Sequence, residues 1–329
     1  MEPRTLGQDS GIEVSALGLG CWAIGGPFAG AGDGMEFGWG KVDDAESVRA
    51  IHRGIEAGVT FFDTASNYGA GHSEVVLGGA VQGRRDQVVI ASKWGFTFNE
   101  STREAVGVDD SVGYVRECLE GSLRRLGTDY VDVYQLHIGD LPIEQALDMV
   151  PTLEGLVTEG KLRAYGWSTD DAERARAFAD AGQHVATAQL DMSVLRDAPA
   201  MIEVCEAAGL GAIIRGPLAM GLLSGKYHDG RSVGERDVRS QGHVWMRYFG
   251  EDGRGMPQWL DAVDEVREIL AGNGRTLIQG ALAWLWARSE NIVPIPGFRN
   301  EQQVAEIVGA LRHGPLNAEE FAEVEKRLR

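Results

Sequence analysis

Cysteine and long apolar segments are scarce in this chain of 329 residues. Its three cysteines, Cys21, Cys118 and Cys205, form no C-x-x-C pair, which argues against a disulfide framework or a zinc site and for a reducing compartment. No apolar run approaches the roughly 20 residues needed to cross a bilayer. The polar start MEPRTLGQDSG lacks the apolar segment of a signal peptide. We therefore expect a cytoplasmic protein without a bound metal.

Positive charge is also in short supply. The chain has 31 basic residues against 49 acidic ones, a formal net charge of −18. Such a field repels nucleic acid and anionic membrane surfaces, so neither is an expected partner. An anionic ligand would need a local cluster of cations and backbone N–H groups. The sequence leaves the oligomeric state open.

What the chain does contain is a regular alternation of short apolar strands and helical patterns. The predicted strands are mostly continuous apolar runs that end in a polar residue, as in parallel strands buried on both faces; they are Ala16–Cys21, Val59–Asp63, Val88–Lys93, Val131–His137, Leu162–Ser168, Val185–Gln189, Gly211–Arg215 and Ile292–Ile295. Helical periodicity follows each strand, at about 44–57, 73–82, 112–126, 142–158, 170–181, 199–208, 257–288 and 300–311. Asp170, Asp197 and Asn300 are predicted N-caps. Eight such units predict an α/β fold, a (β/α)8 TIM barrel.

The remaining segments fit a single domain over residues 1–329. The first fifteen residues predict a β-hairpin cap on the N-terminal end of the barrel, and 317–329 predict a final helix packed outside. Two long loops, 25–40 and 216–255, interrupt the alternation. Loops of that length are usually functional. Both would lie at the carboxyl-terminal mouth, where barrel enzymes keep their active sites.

Titratable side chains lie at or just past the ends of three predicted strands. Asp63 and Lys93 end the second and third strands, His137 ends the fourth, and Tyr68 lies five residues beyond Asp63. Strand ends converge on one mouth, so these four side chains can meet. An ammonium beside a phenol lowers its pKa from near 10, a carboxylate would hold that ammonium, and a histidine could position a carbonyl oxygen. Together they predict proton delivery to a developing alkoxide while a cofactor supplies hydride.

A second motif is typical of a different fold, but the residues that follow it do not fit that fold. Gly18-x-Gly20-x-x-Ala23 matches a dinucleotide-binding fingerprint after a strand. A glycine-rich loop with Pro27 follows it, instead of the helix whose N-terminus must receive the pyrophosphate. A Rossmann fold is therefore disfavoured.

The chain resembles the aldo-keto reductase superfamily over essentially its full length. The matching segments are, in order, RTLGQDSGIEVSALGLGCW, FDTASNYGAGHSEVVLG, ASKWG, LGTDYVDVYQLH, YGWS, RGPLAMGLLSGKY and IPGFRNEQQVAE. The resemblance implies a barrel enzyme that reversibly reduces aldehydes or ketones to alcohols with NADPH or NADH. It also implies that Asp63, Tyr68, Lys93 and His137 form the catalytic tetrad, with Tyr68 as the general acid.

The resemblance further implies where the cofactor binds. Ser168 and Gln189 match contacts to the nicotinamide amide, although Thr169 stands where the family usually has Asn. Arg215 and Gly216 stand where the family usually has an aromatic residue that stacks on the nicotinamide, followed by Ser. A guanidinium can also stack on a flat ring. The loop that closes over the pyrophosphate corresponds to Pro217, Leu218, Gly221, Leu223, Gly225 and Lys226.

The adenosine end is expected at the loop after the eighth strand and the start of its helix, where backbone N–H groups and the helix dipole attract anions. Gly297, Arg299, Gln303 and Glu306 match the family motif there. Arg299 is the expected partner of a 2′-phosphate, since guanidinium pairs well with phosphate. We therefore expect NADPH in preference to NADH, which stays possible.

Substrate contacts are expected from Trp22 and Trp94, with Trp39 nearby, as an apolar or sugar-stacking pocket for a small carbonyl compound. Two other functions stay open. A Schiff-base lyase would use Lys93 as nucleophile, although Asp63 would keep that lysine protonated. An NADPH-binding regulatory or sensor subunit would bind cofactor without turnover, but no segment resembles a partner-docking extension.

Overall fold

A computed structural model describes residues 1–329. It contains thirteen strands: β1 (Arg4–Thr5), β2 (Glu13–Val14), β3 (Gly18–Gly20), β4 (Ala29–Gly30), β5 (Phe61–Asp63), β6 (Val89–Trp94), β7 (Phe96–Asn99), β8 (Glu104–Val108), β9 (Val131–Leu136), β10 (Leu162–Ser168), β11 (Val185–Asp191), β12 (Gly211–Arg215) and β13 (Ile292–Pro294). The eleven α-helices are α1 (Asp44–Glu56), α2 (His72–Val81), α3 (Val112–Leu126), α4 (Ile143–Asp148), α5 (Val150–Thr158), α6 (Ala172–Ala181), α7 (Pro199–Ala207), α8 (Pro257–Leu270), α9 (Leu277–Arg288), α10 (Glu301–Gly309) and α11 (Ala318–Leu328). None of the helices combines the length and the hydropathy needed to cross a membrane.

Eight parallel strands form one sheet in the order β13-β12-β11-β10-β9-β6-β5-β3. Its two outermost strands meet at Gly20, whose N–H donates to the Pro296 oxygen at 3.0 Å and which bridges to Gly297. A Cβ at Gly20 would lie 2.7 Å from the Ile295 oxygen, so only glycine allows this approach. The predicted (β/α)8 barrel is confirmed.

Apolar side chains pack on both faces of the barrel strands. An inner cluster of twelve buried residues includes Phe61, Ala91, Val133 and Ile213, together with Leu6 from the segment between β1 and β2. The antiparallel pair β1–β2 therefore closes the amino-terminal end of the barrel. A larger cluster of 69 buried residues fills the space between the strands and the helices. Burial of this apolar surface is the main force that holds the helices on the barrel.

Several predicted helix boundaries need correction. The pattern at 257–288 contains two helices, α8 and α9. They are separate because glycines in the turn between them disfavour helical backbone. The pattern at 142–158 likewise divides into α4 and α5 at Met149. Asn300 caps α10 as predicted, since its side chain accepts from the Gln303 N–H.

The other two predicted caps are wrong. Asp171, not Asp170, caps α6, because its carboxylate accepts from two N–H groups of the first turn. Asp170 instead accepts from the Asp191 N–H at 2.8 Å. At α7 the capping position is held by Ala198, whose own N–H donates to the Asp197 carboxylate.

The two long loops lie side by side at the carboxyl end of the barrel. The Val238 N–H donates to the Gly38 oxygen at 2.8 Å. Glu36 joins the loops further, because its carboxylate accepts from Arg236 at 2.6 Å and its backbone oxygen bonds His243 at 2.8 Å. The loop 25–40 also contributes β4 to a three-stranded sheet with β8 and β7, an element that was not predicted from the sequence.

Candidate active site

Lys93 is completely buried in β6. Val89 and Ala91 belong to the inner cluster, and the two-residue period of a strand puts Lys93 on the same face, one layer nearer the mouth. Its ammonium donates to Asp63 Oδ1 at 2.5 Å, to the Thr64 oxygen at 2.8 Å and to the Tyr68 hydroxyl at 3.2 Å. Three acceptors match the three donors of a protonated lysine.

The charge on Lys93 is favoured by these neighbours. Burial lowers the pKa of Lys93, but the negative charge of Asp63 and the contact with Tyr68 outweigh it, so the pKa is raised overall. The site therefore holds a permanent cation at neutral pH.

Asp63 is the centre of a buried polar network. Its second oxygen, Oδ2, accepts from Gln135 Nε2 at 3.1 Å and from Gln189 Nε2 at 2.8 Å. The Ser168 hydroxyl donates to the Gln189 amide oxygen at 3.5 Å. The structure thus brings Ser168 and Gln189 together beside Asp63, as expected for neighbours at one end of a barrel. Gln135 was missed, although a polar residue inside an apolar strand was a visible signal.

Tyr68 lies in the turn after β5, half-buried. Its ring stacks on Trp22, with centroids 5.8 Å apart and planes at 22°. Lys93 donates to the phenol oxygen, whereas the phenol proton has no acceptor within the protein. The hydroxyl can therefore donate to an incoming group.

The pKa of Tyr68 departs from the sequence-based expectation. Burial raises this pKa, the ammonium of Lys93 opposes it, and Asp63 raises it again, so the net pKa is above the ordinary value. The expectation that Lys93 brings the phenol towards neutral pH is wrong, because desolvation of the phenolate dominates. Tyr68 is a protonated donor at rest.

His137 follows β9, and its backbone N–H donates to the Trp94 oxygen at 2.8 Å. Its ring meets the edge of Tyr68 at 5.8 Å and of Phe96 at 5.1 Å. Burial, then the positive charges of Lys93 and Arg215, lower the pKa of His137 well below its ordinary value. The imidazole is neutral and makes no hydrogen bond to the protein, so it offers a second free donor beside Tyr68. The four predicted tetrad residues therefore share one site.

An aromatic wall covers one side of Tyr68. We use this name for Trp22, Trp39 and Trp245. Trp39 meets Trp22 edge-on at 5.4 Å, and Trp245 lies 6.2 Å from Trp22. Trp245 is 43% exposed and stacks on His243 at 4.8 Å. Trp245 was not predicted as a site residue, because nothing in the sequence of the loop 216–255 indicates which residue reaches the mouth.

Trp94 does not belong to this wall, and its prediction as a substrate contact is wrong. It directly follows Lys93 in β6, so strand alternation turns it to the outer face. There it is 1% exposed and stacks on Tyr134 at 4.6 Å. Its role is packing in the outer layer.

Arg215 ends β12 at the mouth and pairs with Asp170, with Nη2 and Oδ2 2.9 Å apart. Gly216 follows with a φ of +64°, and a Cβ there would lie 2.5 Å from Asp191 Oδ1. Glycine is therefore needed at this position for both backbone and space.

The predicted pyrophosphate loop forms a short 3-10 helix at Ala219–Ser224. Its backbone turns sharply, with a φ of +90° at Gly221 and +74° at Gly225. Lys226 is exposed beyond it. The prediction that Leu223 contacts the cofactor is wrong. Its side chain is completely buried in the outer core, and its N–H donates to the Leu218 oxygen at 3.2 Å. Neither group is therefore free for a ligand. Pro217 is buried beside Leu218.

Residues predicted at the adenosine end surround the start of α10. Gly297 is exposed and a Cβ there would meet only the Gly20 oxygen, at 3.9 Å. The Arg299 N–H donates to Gln303 Oε1 at 2.8 Å. The Arg299 guanidinium donates to the Lys41 oxygen and pairs with no carboxylate. Glu306 is half-buried on the same helix. The start of α10 therefore presents a guanidinium that no carboxylate neutralises directly.

The match to a known protein-family model decides which family the chain belongs to. The family model described as Aldo/keto reductase family matches residues 16–329. The chain belongs to the aldo/keto reductase family. It is therefore one of a family of oxidoreductases that use nicotinamide cofactors.

Individual relatives match along most of their length. The chain is 28% identical to the aldo-keto reductase YhdN of Bacillus subtilis over 96% of this chain and 90% of that protein. It is 29% identical to the aldo-keto reductase yakc of Schizosaccharomyces pombe, whose name specifies NADP(+), over 94% of this chain and 86% of that protein.

Solved aldo-keto reductases share the fold. The holo form of AKR11C1 from Bacillus halodurans aligns with a TM-score of 0.76 and 28% identity, covering 100% of this chain and 97% of that one. An aldo/keto reductase from Klebsiella pneumoniae in complex with NADP and acetate aligns with a TM-score of 0.69 and 26% identity, covering 99% and 95%.

Proposed function

We propose that this family member reduces aldehydes or ketones to alcohols with NADPH, and that Tyr68 is the proton donor. The observation that carries the proposal is the buried Lys93, which donates to Asp63 at 2.5 Å and to the Tyr68 hydroxyl at 3.2 Å. Because Lys93 donates to the phenol oxygen, the phenol proton is directed away from the lysine. A carbonyl oxygen arriving at Tyr68 would accept it.

The residues divide the chemistry between them. A reduced nicotinamide, when bound, supplies a hydride to the carbonyl carbon. Tyr68 gives its proton to the carbonyl oxygen as negative charge develops there. Lys93 stabilises the phenolate that this transfer leaves, and Asp63 keeps Lys93 in place. His137, a neutral imidazole, positions the same oxygen with a ring N–H. In the reverse direction the Tyr68 phenolate takes the proton back from an alcohol.

The start of α10 fits a phosphate group. Arg299 presents a guanidinium without a carboxylate partner beside Lys41, and guanidinium binds phosphate in a bidentate manner. We assign Arg299 to the 2′-phosphate and therefore favour NADPH over NADH. The NADP(+) in the name of the fission-yeast relative and the NADP bound to the Klebsiella protein support this choice.

The other cofactor contacts are assigned from position. Ser168 and Gln189 lie side by side next to Asp63 and would hold the nicotinamide amide. The segment 216–226 would lie over the pyrophosphate, without the side chain or N–H of Leu223. Gly297, Gln303 and Glu306 would contact the adenosine end.

The aromatic wall indicates the substrate class. Trp22, Trp39 and Trp245 present flat apolar surface next to the Tyr68 hydroxyl, and aromatic side chains pack well on flat apolar or sugar-like groups. We propose a small carbonyl compound that carries such a group.

The two alternatives have less support. A Schiff-base lyase needs a neutral lysine that substrate can reach, whereas Lys93 is 0% exposed and all three of its protons have acceptors. A sensor subunit would bind NADPH without turnover, and no observation favours that function. Cytoplasmic location, the single domain and the lack of nucleic-acid partners stay predictions.

The experiment is a turnover assay that follows the absorbance of reduced nicotinamide with a panel of aldehydes and ketones. The proposal expects NADPH oxidation that is stoichiometric with alcohol formed. Substrate trapped on Lys93 by borohydride, without any nicotinamide, would instead support the lyase. Tight NADPH binding with no turnover on any carbonyl would support the sensor.

A further inference from the structure

Two aspartates and two arginines form an ionic network where β10, β11 and β12 end. Arg215 Nη2 lies 2.9 Å from Asp170 Oδ2. Arg196 contacts the same Asp170 oxygen at 3.3 Å and also pairs with Asp191. Two positive and two negative groups leave the network without net charge.

Arg215 is the member of this network that faces the reacting centre. It lies two residues after Ile213, which belongs to the inner cluster, so strand alternation places it in the same mouth layer as Lys93. Burial is the main influence on the pKa of both Tyr68 and His137, and the charge of Arg215 adds a lowering contribution to each. The Arg215 side chain is 41% exposed and can be reached by a ligand.

Arg215 lies across the mouth from Lys93, because β12 is four strands away from β6 in the eight-stranded barrel. Trp22 covers one face of the Tyr68 ring by stacking on it. Gln189 from β11 reaches across the mouth to Asp63 at 2.8 Å, and β12 pairs with β11, so the ends of these two strands form the wall that faces Asp63 and Lys93. A flat ring that delivers hydride to a carbonyl held at Tyr68 must enter this space, where it meets the guanidinium.

The two oxidation states of a nicotinamide differ in charge: the oxidised ring is a cation and the reduced ring is neutral. A guanidinium at contact range repels the first and not the second. We propose that Arg215, moderated by Asp170, makes the site bind the reduced cofactor more tightly than the oxidised one. This inference rests on the proposed function, since it takes a nicotinamide to be the bound group.

The backbone around the pair is fixed, which keeps the charge in place. The Asp191 N–H donates to Asp170 Oδ1 at 2.8 Å. Gly216 packs so closely on the Asp191 carboxylate that a Cβ would lie 2.5 Å from it. Asp191 is also the strand partner of Arg215 in the β11–β12 pair, so the same residue positions both Asp170 and Arg215.

The test measures dissociation constants and needs no turnover. NADPH and NADP+ are titrated separately into the wild type, Arg215→Gln and Asp170→Asn, with tryptophan fluorescence as the signal. Arg215→Gln is expected to lower the ratio of the NADP+ to the NADPH constant by about tenfold, because one unit charge near the ring is lost. Asp170→Asn is expected to raise that ratio about threefold or more, because Arg215 then acts unopposed.

Two control variants distinguish an effect of the Arg215 charge from an effect on the structure. Arg215→Lys keeps the charge and should hold the ratio within about twofold of wild type. Arg116→Gln removes an arginine from an exposed pair with Glu159 and should change nothing. If Arg215→Gln does not fold, Asp170→Asn alone decides, and an unchanged or lower ratio overturns the inference.

The titrations distinguish a failure of this inference from a failure of the proposed function. Equal weakening of both cofactors by Arg215→Gln, with the ratio unchanged, overturns the inference and leaves the proposed function standing. A wild type that binds neither NADPH nor NADP+ overturns the proposed function itself.

Discussion

The buried pair of Lys93 and Asp63 connects stability with catalysis, and a double-mutant cycle can separate the two. Lys93→Met would leave the Asp63 carboxylate buried, with amide donors from Gln135 and Gln189 but no cation. Asp63→Asn would leave the ammonium without its counter-ion. The double variant removes both charges and still gives the two glutamine amides an oxygen acceptor at position 63.

The structure sets the expected magnitudes. The pair has a 2.5 Å separation and side chains 0% and 2% exposed, so water does not screen it. Loss of one partner of a buried pair typically costs about 3–5 kcal/mol of unfolding free energy. The double variant should be less destabilised than the sum of the singles, with a coupling energy of about 1–3 kcal/mol. Its turnover should stay as low as that of Lys93→Met, since no cation is left to stabilise the Tyr68 phenolate.

The assay is urea unfolding of the four proteins near pH 7. Because the pKa of Lys93 is raised in the folded protein, its stabilising contribution is complete below the ordinary lysine pKa. It disappears only as pH rises through the folded pKa, above 10.5. The coupling should therefore be constant between about pH 6 and 9. The exposed pair of Arg116 and Glu159, 2.6 Å apart, is the control and should show a coupling energy below about 1 kcal/mol.

Two results would refute this reasoning. Additive single effects, within about 0.5 kcal/mol, would mean that the pair is not an energetic unit. A double variant that recovers wild-type turnover would mean that the lysine charge does not act on Tyr68.

Other perturbations give separate tests. Because the pKa of His137 is lowered and that of Tyr68 is raised, kcat should be independent of pH between about 7 and 9, and an ionisation within that range would contradict the assigned protonation states. Arg299→Ala should raise the dissociation constant of NADPH about tenfold and that of NADH less than about twofold; equal losses would remove Arg299 from the 2′-phosphate. Trp245→Ala should raise KM about fivefold for aromatic aldehydes and leave KM for short aliphatic aldehydes unchanged; a uniform change would exclude a stacking role. Gly216→Ala should lower the unfolding free energy by about 1–3 kcal/mol, because the added Cβ meets the Asp191 carboxylate. An unchanged unfolding free energy in urea would show that this carboxylate moves aside at little cost.

The main features of the site follow from strand periodicity. Asp63 and Lys93 each end an apolar run, and each lies two residues beyond an interior apolar residue, so both face the mouth. The same alternation excludes Trp94, because the residue after an inward lysine must point outward. Gln135 follows the rule as well, but its position on the inner face becomes certain only once β9 is paired with β6.

Features that depend on long-range contacts were not accessible from the sequence. Trp245 reaches the mouth because its loop is joined to the loop 25–40 through Glu36, and no periodicity marks that contact. The raised pKa of Tyr68 depends on how deeply the ring is buried, which a sequence does not state. Asp170 was predicted as a helix cap, whereas its role as partner of Arg215 needs three strand ends to be placed in space.

Single-turnover hydride transfer in Tyr68→Phe is the most direct test of the central claim. Wild type and variant, each saturated with NADPH, are mixed with an aldehyde substrate while NADPH fluorescence is followed. We expect the rate to fall by about 10²–10⁴-fold, with the NADPH dissociation constant within about twofold of wild type. A variant that oxidises NADPH as fast as the wild type would contradict the assignment of Tyr68 as proton donor.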